Sequence, residues 1–476
     1  MRNELRPSRR AAIVHPTAVI NVVGLTPALL GADTPHLTAL ARSGAATSIR
    51  AITPAVTCSA QATFLTGTLP RDHGIVGNGW YFRDLAQVMF WKQANQLVMG
   101  EKVWETARRR DASVTCAKMF WWYNMYSSAD WSVTPRPIYP ADGRKVVDIY
   151  SQPSTLRDRL NAELGPFPFF NFWGPTADIR SSRWIAEASV RVAEWHDPSL
   201  LLIYLPHLDY NLQRLGPNDP AIAPDIRSID EICGSLVDRL RARGMRIIVL
   251  SEYGLVPVSA PVHINRVLRD AGHLAVRDEL DTDAFDPGAS SAFAVADHQI
   301  AHVYVRDHHR IDEIRRLVQG IEGVETVLDR RGQAAIGLDH ERSGELVAIA
   351  RPDRWFTYYY WLDDRRAPDY ARTVDIHRKP GYDPVELFVD PTLTLPQLKV
   401  AATLAKKALG FRYLMDVIPL DASLVRGSHG RVTDRLDDGP VFISSEHARV
   451  DGPIESIAVR DLMLSHLFDQ VPGTTR

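Results

Sequence analysis

Short, mainly apolar runs bounded by turn residues constrain this chain more than any other feature. Residues 18–25 (AVINVVGL), 113–119 (SVTCAKM), 200–205 (LLLIYL) and 246–250 (RIIVL) are too short for self-sufficient helices. They also lack the strict apolar–polar alternation of a half-exposed strand. Runs of this kind read as strands buried on both faces, which is how parallel sheets are built. Helical patterns lie between them, at 181–195 and 223–243. Strands alternating with helices predict an α/β fold around a mostly parallel sheet, and such sheets bind ligands beyond the carboxyl ends of their strands. Chemistry is therefore expected in the loops that follow these runs.

The pattern changes after about residue 281. A strand is expected at 301–305, a helix at 311–319 and short strands at 325–328 and 345–350. Together they predict a small α+β insertion or lid, ending in the aromatic run Trp355-Phe356-Thr357-Tyr358-Tyr359-Tyr360-Trp361. A chain of 476 residues exceeds what one hydrophobic core usually organises. The expected division is a core over 1–281, the insertion over 282–375, and a return to the core over 376–476. Aromatic clusters at 120–123 and 169–173 are expected in the core, with a pocket wall as the alternative.

Net charge is −2, so overall charge predicts neither a nucleic-acid nor a membrane partner, and an anionic substrate needs a local site. Cys58, Cys116 and Cys233 are too scattered for a disulfide framework or a cysteine zinc site. The N-terminal stretch begins basic, but its apolar part is short and interrupted by His15, Pro16 and Asn21. It reads as the approach to the first strand, not as a signal peptide, and no run approaches the ~20 residues that span a bilayer. A cytoplasmic location is the resulting expectation. The pattern does not specify an oligomeric state.

The richest segment is residues 54–67, PAVTCSAQATFLTG. Thr57 stands where a loop enters a helical stretch. A helix N-terminus offers free N–H groups and a positive dipole end, which suit a phosphate. A threonine hydroxyl is a weak nucleophile and needs a base or a metal to activate it. Capping of the helix is the competing role for Thr57.

This segment resembles the nucleophile helix of the nucleotide pyrophosphatases and type I phosphodiesterases, in the alkaline phosphatase superfamily. The spacing from Thr57 to Thr66-Gly67 is similar, as are Leu69-Pro70-Arg71-Asp72-His73-Gly74-Ile75, Gly77-Asn78 and, upstream, Asp33-Thr34-Pro35. The resemblance implies an alkaline phosphatase-like α/β sandwich with a central mostly parallel sheet and a smaller α+β insertion. It also implies Thr57 as nucleophile and a pair of divalent ions, usually zinc, held by residues at several strand ends.

Those ligand positions are only partly filled. In Asn21-Val22-Val23-Gly24, Val23 stands in place of the family aspartate. Asn21 is either a weak substitute donor or, the favoured reading, a buried amide bonded to backbone. In residues 207–217, HLDYNLQRLGP, Asp209 matches a family ligand and Gln213 replaces a histidine. In Ser251-Glu252-Tyr253-Gly254, Glu252 keeps a carboxylate while Tyr253 replaces a histidine. His429, in Gly427-Ser428-His429-Gly430, matches the late family histidine. The resemblance thus implies a divalent metal, zinc first, held by Asp209, Gln213, Glu252 and His429, with one ion or none retained.

His207, His263, Asp297, His298 and His302 are candidates to refill the site. Gln61 or Asn78 is the candidate phosphate-binding amide, and Arg378 and Lys379, in a polar turn at 375–384, are candidate anion binders. The expected function is metal-dependent hydrolysis of a phosphodiester or pyrophosphate bond in a small-molecule substrate. The alternatives are a fold-retaining binding protein and a transferase with altered chemistry.

Overall fold

A computed structural model describes residues 13–141, 145–447 and 452–469. The basic stretch 1–12 lies outside the described residues. The main sheet has nine strands, in the order Ile454–Glu455, Ala45–Arg50, Val441–Ser444, Arg246–Leu250, Thr17–Val22, Leu200–Leu205, Cys116–Met119, Trp131–Pro135, Ile149–Gln152. Its five central strands, from Arg246–Leu250 to Trp131–Pro135, are parallel. Strands on both flanks pair antiparallel to this block.

All four expected core strands are present. The segments at 200–205 and 246–250 keep their expected limits, and the other two are Thr17–Val22 and Cys116–Met119. Every residue of Thr17–Val22 and Leu200–Leu205 is buried, as a sheet covered on both faces requires. Helices Pro35–Ser43, Ile179–His196 and Ala223–Arg241 pack against one another, and helix Val459–Phe468 packs against Thr57–Thr66 and Val103–Arg110.

Helix Pro35–Ser43 begins without a local side-chain cap at Thr34. The carboxylate of Asp230, buried on helix Ala223–Arg241, accepts instead from the backbone N–H groups of His36 at 3.0 Å and Leu37 at 2.9 Å. A distant acidic side chain thus closes the helix N-terminus, where negative charge is favoured.

The second lobe is built on an antiparallel sheet in the order Ala292–Asp297, Ile300–Val305, Leu346–Ala350, Val324–Leu328, with helix Ile311–Gln319 beside it. Its hydrophobic core gathers side chains from Val258 to Val425 together with Phe90, so residues outside 282–375 also pack there. The apolar residues before 281 and after 375 carried no signal of which lobe they join. The run Trp355–Trp361 is almost wholly buried in this core. Phe120 to Tyr123 are also buried, as the core-packing reading expects.

One hairpin of this lobe reaches the main sheet's site. Strands Ala292–Asp297 and Ile300–Val305 are joined by His298-Gln299, with Asp297 opposite Ile300. His298 adopts φ 60, the left-handed geometry that two-residue hairpin turns use. The backbone N–H of Gln299 donates to the carbonyl of His429 at 2.9 Å, and Phe356 N–H donates to the His298 carbonyl at 2.7 Å. Among the described residues, no helix is long and apolar enough to cross a membrane.

Replacing Asp230 by alanine removes the acceptor from two helix N-terminal N–H groups, of which that of Leu37 is buried. We expect it to cost about 2 kcal/mol, read as a lower midpoint of urea unfolding, while Asp230→Asn, which keeps one acceptor oxygen, costs less.

Candidate active site

Thr57 is the first residue of helix Thr57–Thr66, and the cap position belongs to Val56. The Thr57 hydroxyl is therefore not spent on capping. It lies 3.2 Å from the Tyr253 hydroxyl, and the Tyr253 O–H donates toward Asp209 Oδ1 at 3.4 Å. Glu252 belongs to the same cluster, its Oε1 accepting from the side-chain amides of Asn21 and Gln61. The structure thus gathers Thr57, Asp209, Glu252 and His429, four residues far apart in sequence, at the carboxyl edge of the central strands.

Each is placed by local structure. Glu252 follows strand Arg246–Leu250 directly. Asp209 and Gln213 share helix His207–Leu215, which follows strand Leu200–Leu205. The His429 segment is drawn in from three sides. Ala55 N–H donates to the Gly430 carbonyl at 2.9 Å, His429 Nδ1 donates to the Ala55 carbonyl at 2.8 Å, and the hairpin tip holds the His429 carbonyl. Gly427 permits this approach, because a Cβ there would come within 2.0 Å of the Leu212 carbonyl oxygen.

Aromatic and imidazole rings line one side of the cluster. Tyr253 stacks on His429 with centroids 3.5 Å apart, His429 lies 3.6 Å from His298, and His298 lies 3.7 Å from Tyr382. Burial pulls the His429 imidazole down to about 3, so the ring is neutral. Its Nε2 has no hydrogen-bond partner among the described residues and faces Asp209 Oδ1 at 3.9 Å.

The carboxyl groups respond in the opposite sense. Burial pushes Asp209 up to about 7, against the pull of hydrogen bonds from Gln213 and Tyr253. Burial likewise pushes Glu252 up to about 8, against hydrogen bonds from Gln61, Asn21 and Thr57. Asp297 is raised to about 7 by burial, opposed by Asn78. Each charge is moderated by neutral donors, not by a neighbouring cation.

Do these residues fit the pair of ions implied by the family resemblance? Glu252 Oε1 is already held by the amide nitrogens of Asn21 and Gln61, each at 2.5 Å. Gln213 turns its amide nitrogen toward Asp209 Oδ2 at 2.7 Å, while its oxygen accepts from the Tyr382 hydroxyl at 3.1 Å. Val23 offers no donor atom, and the Tyr253 phenol stands between Thr57 and Asp209. Among the described residues no three His, Cys, Asp or Glu side chains converge as a metal shell. The donor set does not fit two ions, and Asp209 with His429 alone makes an incomplete shell for one.

Several expectations need correction. Asn21 bonds to the Glu252 carboxylate, not to backbone. Asn78 is tied into the nucleophile loop: its Oδ1 accepts from Cys58 N–H at 3.0 Å and its amide donates to Asp297 at 3.1 Å. Lys379 is buried between Asp383 at 2.7 Å and Glu386 at 2.8 Å, so two carboxylates already use its charge. Arg378 is exposed and pairs with Asp369. Neither is presented to the cluster as a free anion binder, because acidic residues nearby in sequence claim both.

The refill candidates also separate. His298 and Asp297 reach the cluster, whereas His207 turns to Asp225, His263 to Thr357 and His302 to the Val76 carbonyl. Tyr382 was not foreseen, although it lies in the polar segment that drew attention to Arg378 and Lys379.

A threonine opening a helix at the carboxyl edge of a parallel sheet, faced by carboxylates from neighbouring strand ends, defines an alkaline phosphatase-like α/β protein. The type I phosphodiesterase / nucleotide pyrophosphatase family matches residues 17–383, and the chain belongs to that family. An uncharacterized pyrophosphatase/phosphodiesterase of Schizosaccharomyces pombe is 27% identical over 223 residues, 43% of this chain and 37% of that protein. The aligned region thus spans little more than a third of that relative's length. Among solved structures, murine ectonucleotide pyrophosphatase / phosphodiesterase 5, as an inactive variant with AMP, is similar with a TM-score of 0.58 and 14% identity, covering 96% of both chains. Phosphonoacetate hydrolase from Sinorhizobium meliloti 1021, with phosphonoacetate, gives 0.62 and 16% identity, covering 97% of this chain and 98% of the other. At such identities the likeness is one of fold.

The misfit has a direct analytical consequence. Elemental analysis of the purified protein, after incubation with zinc and removal of excess, is expected to find fewer than two ions per chain. Restoring the conventional donors together, through Val23→Asp, Gln213→His, Glu252→Asp and Tyr253→His, should raise that number. Two tightly held ions in the parent protein would contradict the geometry.

Proposed function

We propose that this chain hydrolyses a phosphodiester or pyrophosphate bond in a small-molecule substrate, with Thr57 as the attacking group. The observation that carries the reading is the chain of contacts from the Thr57 hydroxyl through Tyr253 to Asp209, at the start of a helix. AMP and phosphonoacetate, bound in proteins of this fold, support a small phosphorus-containing anion as the substrate class.

The chain's own residues can supply the proton transfers. Thr57 Oγ1 attacks phosphorus as the bond to the leaving oxygen breaks. The Thr57 proton passes to the Tyr253 oxygen while the Tyr253 proton passes to Asp209. Glu252, whose Oε2 has no hydrogen-bond partner among the described residues, gives a proton to the leaving oxygen. Water then attacks the phospho-threonine: its proton goes to Glu252, and Thr57 recovers one through Tyr253 from Asp209. Two carboxyl groups of raised pKa, one as base and one as acid, suit this exchange. The resemblance to a metal-dependent family supports a divalent ion, zinc first, but the donor set does not, so no step is assigned to an ion.

A second reading, a binding protein that keeps the fold without turnover, is favoured by the same loss of conventional donors. Substitution separates the two readings. Thr57→Ala is expected to lower kcat/KM by about a thousand-fold or more, with the circular dichroism spectrum retained, and Thr57→Ser to keep part of the activity. Tyr253→Phe, which removes the relay oxygen, should cost roughly a hundred-fold. Assays use a chromogenic phosphodiester and a panel of nucleotide and sugar pyrophosphates, with and without zinc, manganese or magnesium. Turnover undiminished in Thr57→Ala overturns the nucleophile assignment, and binding without turnover in the parent protein favours the second reading.

A further inference from the structure

Helix Pro396–Ala408 lies at the margin of the second lobe, touching its core through the half-buried Val400. It belongs to an excursion closed at its base, where Asp390 N–H donates to the Val417 carbonyl at 2.8 Å. Thr403 is the helix's one buried residue, and Lys399 is tied down, its Nζ donating to the Asp416 carbonyl at 2.7 Å. Most of the remaining surface faces outward, and apart from Gln397 and the flanking lysines it is apolar. Leu398, Leu404 and Leu409 are 62%, 48% and 74% exposed, and Phe411 and Leu414 just beyond the helix are 65% and 48% exposed. Ala401, Ala402, Ala405 and Ala408 fill the same outward surface between the leucines. Isolated exposed leucines need no explanation, but a contiguous apolar helix face does.

Charge distinguishes the possible occupants. Residues 391–415 contain Lys399, Lys406, Lys407 and Arg412 and no aspartate or glutamate. Lys406, Lys407 and Arg412 pair with no carboxylate among the described residues, and all three are exposed at the margin of the apolar face. A second copy docked about a twofold axis would set this cationic rim against itself, with no acid in the segment to answer it. An apolar face rimmed by unpaired cations, with Phe411 and Tyr413 beside it, instead matches the boundary between acyl chains and anionic headgroups.

From this we infer that helix Pro396–Ala408 and the following Phe411–Leu414 form a peripheral docking surface for an anionic lipid bilayer. The helix lies in the plane of the interface, with Leu398, Leu404 and Leu409 inserted and Lys406, Lys407 and Arg412 at the headgroups. The expectation of no membrane partner rested on net charge, which averages this segment with the acidic remainder. The inference does not depend on the catalytic reading.

Co-sedimentation of the full chain with vesicles tests it. The protein should sediment with vesicles of phosphatidylcholine mixed with phosphatidylserine, far less with phosphatidylcholine alone, and less as salt is raised. Lys406→Glu with Lys407→Glu should reduce partitioning by on the order of 30-fold or more. Leu398→Asp with Leu409→Asp should abolish it. All four side chains project into solvent, so melting temperatures should stay close to the parent's, which separates lost binding from lost folding. Absence of binding to the anionic vesicles, or binding unchanged in both variants, overturns the proposal. So does a vesicle-free dimer that Leu398→Asp with Leu409→Asp dissociates, since that result gives the face to a second copy.

Discussion

The parallel pairing of Thr17–Val22 with Leu200–Leu205 on one side and Arg246–Leu250 on the other is the interaction on which the rest of this structure depends. Parallel strands end on the same side, so the residues following each are delivered to one edge of the sheet. Asn21 sits level with Tyr204 and Leu250, and Glu252 and Asp209 emerge just beyond. Complete burial of the central strands makes a slip in register costly. Burial of these strands thus fixes where Asp209 and Glu252 emerge, while hydrogen bonds bring the His429 segment to them.

That edge is an unfavourable place for charge. Asp209, Glu252 and Asp297 are buried, and burial without compensation drives a carboxylate toward its neutral form. In the family this chain resembles, cations supply the compensation. Here it comes from neutral donors: Gln213 and Tyr253 for Asp209, Asn21 and Gln61 for Glu252, Asn78 for Asp297. Neutral donors moderate the penalty without abolishing it, which leaves all three carboxyl groups able to hold a proton near neutrality. Gln213 and Tyr253 thus serve Asp209 as Asn21 and Gln61 serve Glu252, through hydrogen bonds from neutral side chains.

The two lobes meet through this same site. The hairpin tip at His298-Gln299 is anchored to the His429 backbone, and the His429 imidazole is anchored to Ala55, two residues before Thr57. Tyr382, from the second lobe's core, stacks on His298 and bonds to Gln213. A displacement of either lobe would be felt at Thr57. The excursion carrying helix Pro396–Ala408 hangs from the second lobe, so a surface that engages it acts on the lobe contributing His298 and Tyr382.

Local sequence determined much of this protein. Mainly apolar runs specified four of the five central parallel strands, because burial on both faces leaves no alternation to misread, and helix 311–319 followed from its periodicity. Motif order singled out Thr57, Asp209, Glu252 and His429, and the fold brings them together. Other features depended on which side chains would meet. Arg378 and Lys379 read as free cations until the fold set them against Asp369, Asp383 and Glu386. Asn21 was legible as a buried amide, but not as a partner of Glu252, which lies in a different strand's loop. His298 was one of several candidate histidines that local sequence could not rank, and Tyr382 carries no periodicity or spacing that marks it. Strand and helix are written in patterns a few residues long, whereas hydrogen-bond partners and burial at the site are properties of segments hundreds of residues apart, and only the packed tertiary structure decides them.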